Sequence, residues 1–304
     1  MKPCHIPAPL QPGDRLHVVA PSGALRELEA FHRGLEVWRS RGYSLILGSG
    51  HDDRWGYLAG SDENRRLQLL TALKDPDCRG ILCVRGGYGG MRLLEDWTWP
   101  EIDPKWLIGF SDVTSLLWSL SQQGISGIHG PLLTTLAQEP DWSQQRLFDW
   151  VEGRGLTEPL IGQGWGGGHA EGLLLPANLT VATHLLHTPL QPDLAGVILA
   201  LEDVTEAPYR IDRLLTQWRL SGALRQVQGI ALGRFSHCQA PAHIPSFTVE
   251  EVLHDRLSDL GIPIVADLPF GHDGPNAALP VGVPVRLDGD RGTLTISFQS
   301  LVKD

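Results

Sequence analysis

The sequence predicts an α/β protein, with an N-terminal, mainly parallel sheet flanked by helices and a C-terminal α/β domain with a β-rich tail. Three observations carry this. Short apolar runs alternate with helix-length amphipathic segments, which implies crossover connections between parallel strands. The 304 residues are about twice the ~150 residues of a typical domain. A glycine-dense stretch then interrupts the chain, with five glycines in residues 162–168. The expected division is an N-terminal domain over 1–153, a linker or mobile loop over 154–169, and a C-terminal domain over 170–304.

The elements follow in order. Residues 15–20 (RLHVVA) form a strand stopped by Pro21-Ser22-Gly23. Leu28, Phe31, Leu35 and Trp38 recur at helical spacing over 24–41, and Gly42 ends that helix. A strand at 43–47 precedes a helix at 62–74, whose first turn holds Asp62 and Glu63, where the helix dipole favours acidic groups. Residues 80–84 (GILCV) read as a buried strand running into Arg85-Gly86-Gly87-Tyr88-Gly89-Gly90, and a short helix follows to about 97. The strand at 106–110 (WLIGF) breaks at Ser111-Asp112 into an apolar helix. Beyond the glycine-rich stretch come an apolar segment at 170–175, a helix at 178–187 and the strand 196–201 (GVILAL). The next helix, 209–220, places Ile211, Leu214, Leu215 and Trp218 on one face. A strand at 227–232, a helix at 248–260 and a β-rich tail from 262 complete the chain.

Composition narrows the function classes. Acidic residues outnumber Lys and Arg by 35 to 25, a formal charge of −10, and no basic run is present. Nucleic acid and anionic membrane surfaces are therefore poor partners. No stretch of 18 apolar residues occurs, so no membrane span is expected. The N-terminus is broken by prolines and lacks the apolar core of a signal peptide. Cys4, Cys78, Cys83 and Cys238 show no disulfide spacing, which fits a reducing, cytoplasmic setting. No cofactor fingerprint or metal set is expected. The Arg85–Gly90 loop lacks the Lys-Ser/Thr of a phosphate loop and fails the dinucleotide glycine spacing. His184 and His187 stand one helical turn apart without a third ligand, and His237, Cys238 and His243 lack an ordered second pair.

A parallel sheet binds ligands beyond the carboxyl ends of its strands, and three such ends carry polar residues. In Gly109-Phe110-Ser111-Asp112 a serine sits at a strand-to-helix turn, the place for an exposed nucleophile beside backbone N–H groups. Val113 stands where the hydrolase elbow has its second glycine, and a plain helix N-cap explains Ser111 equally. The Arg85–Gly90 loop is either an oxyanion contact or an ordinary glycine turn. Glu202 and Asp203 end a strand, where they either orient a histidine or face solvent. His272 lies in a tight loop, Pro269-Phe270-Gly271-His272-Asp273-Gly274, a position suited to catalysis.

Seven segments together resemble the LD-carboxypeptidase family, which includes the microcin C immunity peptidases. They are Val18-Val19-Ala20-Pro21-Ser22-Gly23, Tyr57-Leu58-Ala59-Gly60-Ser61-Asp62, Arg85-Gly86-Gly87-Tyr88-Gly89, Gly109-Phe110-Ser111-Asp112-Val113-Thr114, His129-Gly130-Pro131, Leu201-Glu202-Asp203-Val204 and Phe270-Gly271-His272. The resemblance implies a serine peptidase with Ser111 as nucleophile, His272 as general base and Glu202 orienting the histidine. It also implies an oxyanion hole from the backbone N–H groups of Gly87 and Asp112, a groove between two domains, and a homodimer. The implied substrate is a murein tetrapeptide that loses its terminal D-alanine. Arg85, Tyr88 and Trp165 are candidate substrate contacts. Pro176-Ala177-Asn178-Leu179 departs from the G-G-N-L that family members often show. Two rival readings are a peptidase acting on a peptidyl-nucleotide, with Trp165 stacking on the base, and a non-catalytic small-ligand-binding protein.

Overall fold

The computed structural model describes residues 1–101, 103–155 and 158–296. Residues 156 and 157 of the glycine-rich segment and 297–304 of the tail lie outside the described residues. Contacts divide the chain into two units. One, here the serine unit, is Cys4–Gly155 with Ala277–Val281. The other, the histidine unit, is Met1–Pro3, Leu156–Asn276 and Gly282–Asp304.

The serine unit runs β1 (Arg15–Val19), α1 (Leu28–Ser40), β2 (Ser44–Leu47), α2 (Asp62–Lys74), β3 (Cys78–Cys83), α3 (Gly90–Leu93), β4 (Trp106–Gly109), α4 (Thr114–Gln122), β5 (Ile128–His129), α5 (Leu133–Leu136) and α6 (Asp141–Val151). Its sheet has the order β2-β1-β3-β4-β5, all parallel. A late strand, Leu279–Pro280, closes the edge antiparallel to β5. A proline is tolerated there because it lacks the N–H that an interior strand must donate. β1, β3 and β4 are almost wholly buried, with Arg15, His17 and Arg79 as the polar residues within them, because both faces of the sheet are covered.

α1 buries Phe31, Leu35 and Trp38, the i, i+4, i+7 stripe expected of an amphipathic helix. It begins at Leu28 rather than 24, and Glu27 offers it no side-chain cap. α2 begins where expected, since the Ser61 hydroxyl accepts the Asn64 N–H at 3.2 Å. The stretch 133–151, to which the sequence reading assigns no element, holds α5 and α6. α6 carries a polar Gln144-Gln145-Arg146 run, and Arg146 is itself buried. Its packing is aromatic: Phe148 meets Trp38 edge-on, with ring centres 4.8 Å apart.

The histidine unit runs β6 (Leu160–Ile161), β7 (Gln163–Gly164), β8 (His169–Asn178), α7 (Leu179–Leu185), β9 (Val197–Val204), α8 (Pro208–Leu220), β10 (Gly229–Ser236), α9 (Val249–Leu257), β11 (Ile264–Ala266), β13 (Pro284–Asp288) and β14 (Thr293–Ile296), with Leu279–Pro280 counted as β12. Its sheet has the order β6-β14-β13-β8-β9-β10-β11-β7. The centre, β8 to β11, is parallel. The flanks are antiparallel, so the tail is β-rich as expected. The glycine-rich stretch, read from sequence as a linker or mobile loop, supplies two edge strands. Gly164 pairs with Val265, and the Trp165 N–H donates to the Ile264 carbonyl at 2.9 Å. α8 starts on Pro208, buries Ile211, Leu215 and Trp218, and anchors Trp218 through its indole N–H to the Thr183 hydroxyl at 2.8 Å. Among the described residues, no helix is long and apolar enough to cross a membrane.

Candidate active site

In the serine unit, β4 delivers Gly109 and Phe110 in extended geometry, and the chain then turns at Ser111 with φ +63°. A non-glycine residue in this left-handed region costs on the order of 1–3 kcal/mol. Ser111 opens a 3-10 turn, Ser111–Val113, that leads into α4. The N-cap of that turn is Phe110 and that of α4 is Val113, so the plain capping role considered for Ser111 does not hold. The turn is a strained elbow that presents a hydroxyl at a strand end.

The glycine loop after β3 lies against this elbow. A Cβ on Gly86 would lie 3.0 Å from both the Cβ and the Oγ of Ser111, so a side chain here would press on the serine. Gly23, from the Pro21-Ser22-Gly23 segment, donates its N–H to the Gly86 carbonyl at 3.0 Å. Gly90 donates its N–H to Asp112 Oδ2 at 2.7 Å. Burial raises the pKa of Asp112, opposed by the Gly90 N–H and the charge of Arg65. Three separate sequence segments are thus fastened at one point. Gly87 follows with φ +108° and an exposed backbone; among the described residues its N–H has no hydrogen-bond partner. His129 is fully buried, with its ring centre 5.8 Å from that of Phe110.

In the histidine unit, β9 ends in a pair of buried carboxylates. Glu202 is wholly inaccessible, and its Oε2 lies 2.6 Å from Nδ1 of His272. Its Oε1 accepts from Asn178 Nδ2 at 3.2 Å. That amide also reaches Asp203 Oδ1 at 3.1 Å, while its carbonyl caps α7 by accepting the Val181 N–H at 3.1 Å. Asp203 takes further hydrogen bonds from the Thr180 N–H at 2.9 Å and the Thr180 hydroxyl at 2.7 Å. Burial is the main cause that pushes the Asp203 carboxyl up to about 6.

The His272 loop is tied to the end of β10. The Ser236 hydroxyl bonds Asp273 on both its side chain and its N–H. Arg234 donates to the Pro275 carbonyl at 2.6 Å, and the Gly271 N–H donates to Asn276 Oδ1 at 3.1 Å. Burial pushes the His272 imidazolium toward lower pKa, but the hydrogen bond and charge of Glu202 outweigh it and hold the pKa above its ordinary 6.5. In the neutral ring this arrangement keeps the proton on Nδ1 and the lone pair on Nε2.

The sequence-predicted residues therefore fall into two groups. Ser111, Asp112, Gly87, Arg85 and Tyr88 gather in the serine unit. Glu202 and His272 meet in the histidine unit. Arg85 is engaged by Glu27, with Nε 3.2 Å from its Oε2. Tyr88 is half exposed and stands edge-on to Tyr57, ring centres 5.7 Å apart. Trp165 lies in the histidine unit with one face of its indole stacked on His254, at 3.7 Å between ring centres. Sequence reasoning did not assign roles to Gly86 or Asn178. A signal for Asn178 exists in the pairing of β8 with β9, which sets it beside Glu202, but register is not visible along one strand. The four cysteines are free and buried. Burial raises the thiols of Cys4 and Cys238 to about 11, which makes them poor nucleophiles. Among the described residues, no group of three His, Cys, Asp or Glu side chains could hold a metal ion.

The serine unit thus holds a strained serine elbow, and the histidine unit a buried carboxylate–histidine pair. Comparison with known proteins identifies the family. The N-terminal domain signature of the LD-carboxypeptidases matches residues 16–130 and the C-terminal domain signature matches 171–287; the chain belongs to this family of peptidases. A relative from Synechocystis is 63% identical over 290 residues, covering 95% of this chain and 96% of its own length. The murein tetrapeptide carboxypeptidase of Pseudomonas aeruginosa is 35% identical over 303 residues, 92% of this chain and 95% of its own. Among solved structures, muramoyltetrapeptide carboxypeptidase from Oxalobacter formigenes superposes with a TM-score of 0.82 at 29% identity, covering 92% of this chain and 97% of that one.

Proposed function

We propose that the protein is a serine carboxypeptidase that releases the terminal D-alanine of murein tetrapeptides. Ser111 is the nucleophile, His272 the general base and Glu202 its orienting partner. The observation that carries this reading is the buried Glu202 bound to Nδ1 of His272, which suits Nε2 to exchange a proton with a hydroxyl. The relatives named for murein peptides supply the substrate class.

The chemistry follows from the residues. A serine hydroxyl is a weak nucleophile at neutral pH and needs a base as it attacks. Ser111 Oγ bonds to the carbonyl carbon of the L-centre, and its proton passes to His272 Nε2. Glu202 stabilises the imidazolium that results. The backbone N–H groups of Gly87 and Asp112 hold the developing oxyanion; one such donor is typically worth ~2.7–4 kcal/mol. When the tetrahedral intermediate collapses, the C–N bond breaks and His272 returns its proton to the departing amine of D-alanine. Water then attacks the acyl-serine ester, again with His272 as base, and restores the free hydroxyl. Four free cysteines favour a reducing, cytoplasmic setting for this work.

The test is to incubate the purified protein with a tetrapeptide ending in L-lysyl-D-alanine or diaminopimelyl-D-alanine and to assay free D-alanine beside Ser111→Ala. Release by the wild type alone is expected. Equal release by both proteins would remove Ser111 as nucleophile, and release by neither would remove the murein substrate.

A further inference from the structure

The serine unit holds an open cavity of about 410 Å³ lined by Gly23, Arg26, Tyr57, Arg85, Gly87 and Tyr88. Two of the six are cations, and their circumstances differ. The Arg85 guanidinium is committed to Glu27, through Nε at 3.2 Å and Nη2 at 3.4 Å. Arg26 is exposed and, among the described residues, makes no ion pair or hydrogen bond. It stands at a cavity shared with Gly87, on a chain whose formal charge is −10. The remaining wall is aromatic: Tyr57 and Tyr88 are 58% and 50% exposed. Exposed rings set edge to face beside an uncommitted guanidinium form a pocket with an apolar side and a cationic end. Such a pocket takes a small ligand bearing a carboxylate.

Resting on the reading above, we propose that Arg26, rather than the candidate contact Arg85, is the specificity-determining residue that binds the terminal carboxylate of the substrate. The covalent structure of a peptide supports this. The scissile carbonyl carbon and the carboxylate carbon of the residue beyond it are only about 3–4 Å apart. A group that reads the terminal carboxylate must therefore share a pocket with the group that holds the scissile oxygen. Gly87 and Arg26 share one. Arg85, neutralised by Glu27, serves instead to brace the loop that carries Gly87. An arginine at this end selects for the free acid at the last residue and so limits the enzyme to removing one residue at a time.

The test compares a tetrapeptide ending in free D-alanine with the same peptide ending in D-alaninamide. Both are measured with the wild type, Arg26→Ala and Arg26→Lys, and folding is checked by thermal melting. The wild type is expected to favour the free acid. Arg26→Ala should lower kcat/KM for the acid by about 10–100-fold, the range of one charge-assisted hydrogen bond, mainly through KM. The acid-to-amide ratio should collapse toward one, and Arg26→Lys should recover part of it. An Arg26→Ala protein that melts normally and keeps the wild-type ratio would overturn the assignment while leaving the peptidase reading intact. A wild type that cleaves neither peptide, with no D-alanine released from the acid and no D-alaninamide from the amide, would remove the substrate reading and this assignment with it.

Discussion

The serine elbow and the carboxylate–histidine pair are held in place by different physics. Ser111 is fixed by backbone: a left-handed φ, a close-packed glycine at position 86, and N–H to carbonyl or carboxylate bonds from Gly23 and Gly90. His272 is fixed by side chains: Glu202, Asn178, Asp203, Ser236 and Asn276 form the mesh around it. A nucleophile placed by backbone responds to steric change and little to pH. A base placed by buried charges responds to charge and to pH. The two ends therefore fail in distinguishable ways when they are perturbed.

The largest effects come from the reacting groups. Ser111→Ala and His272→Ala should each lower kcat by ~10⁴–10⁶, and the double variant should fall little further, because residues that act as a unit are not additive. A steady-state assay of D-alanine release on the three variants checks this. Next is Glu202→Gln, which keeps the shape but removes the charge. It should cost ~10⁴ in kcat, as the loss of a triad acid typically does. The acidic limb of the kcat/KM profile should also move to lower pH, because Glu202 is what holds the His272 pKa above 6.5. A limb that stays in place would separate the pH response from this pair.

Gly86→Ala probes the other end. A methyl group set 3.0 Å from the Ser111 hydroxyl should displace the nucleophile and cost ~100-fold in kcat, with the position of the acidic limb unchanged. A shifted limb would mean that the two ends are not independent. Asn178→Ala should be milder in rate but visible in stability, because it removes both a donor to Glu202 and the cap of α7. The cap alone is typically worth ~1 kcal/mol, readable as a lowered Tm. The smallest effect is the link between stability and pH. A histidine whose folded pKa is raised contributes stability that is fully present below about pH 6.5 and is lost as pH rises through the folded value. The Tm gap between wild type and Glu202→Gln should therefore be wider at pH 5.5 than at pH 8.5.

The same contrast governs what the sequence discloses. The parallel serine-unit sheet is legible because the apolar cores of its strands, such as 80–84 and 106–110, end in glycine- or serine-bearing turns. Ser111, Glu202 and His272 all stand at strand ends or in tight turns, the places where a sequence marks its chemistry. Helix α6 is not legible, because a buried arginine and a glutamine pair interrupt its apolar stripe. The two edge strands within 160–164 are hidden by glycines, which lower strand propensity while allowing close approach of backbone. Asn178 is hidden for a deeper reason: its role depends on the partner strand, and cross-strand register is a tertiary property. Arg85 is singled out in sequence by its glycine loop and Arg26 by nothing, because the ion pair to Glu27 that engages Arg85 is a tertiary contact.

The central claim is that Ser111 and the Glu202–His272 pair, which belong to different units of the chain, work as one machine. An active-site-directed fluorophosphonate tests it directly, with the adduct mapped by mass spectrometry in the wild type and in His272→Ala. A single adduct on Ser111, formed readily by the wild type and lost when the imidazole is removed, is the predicted result. Labelling of Ser111 at the same rate without His272, or an adduct on any other residue, would contradict it.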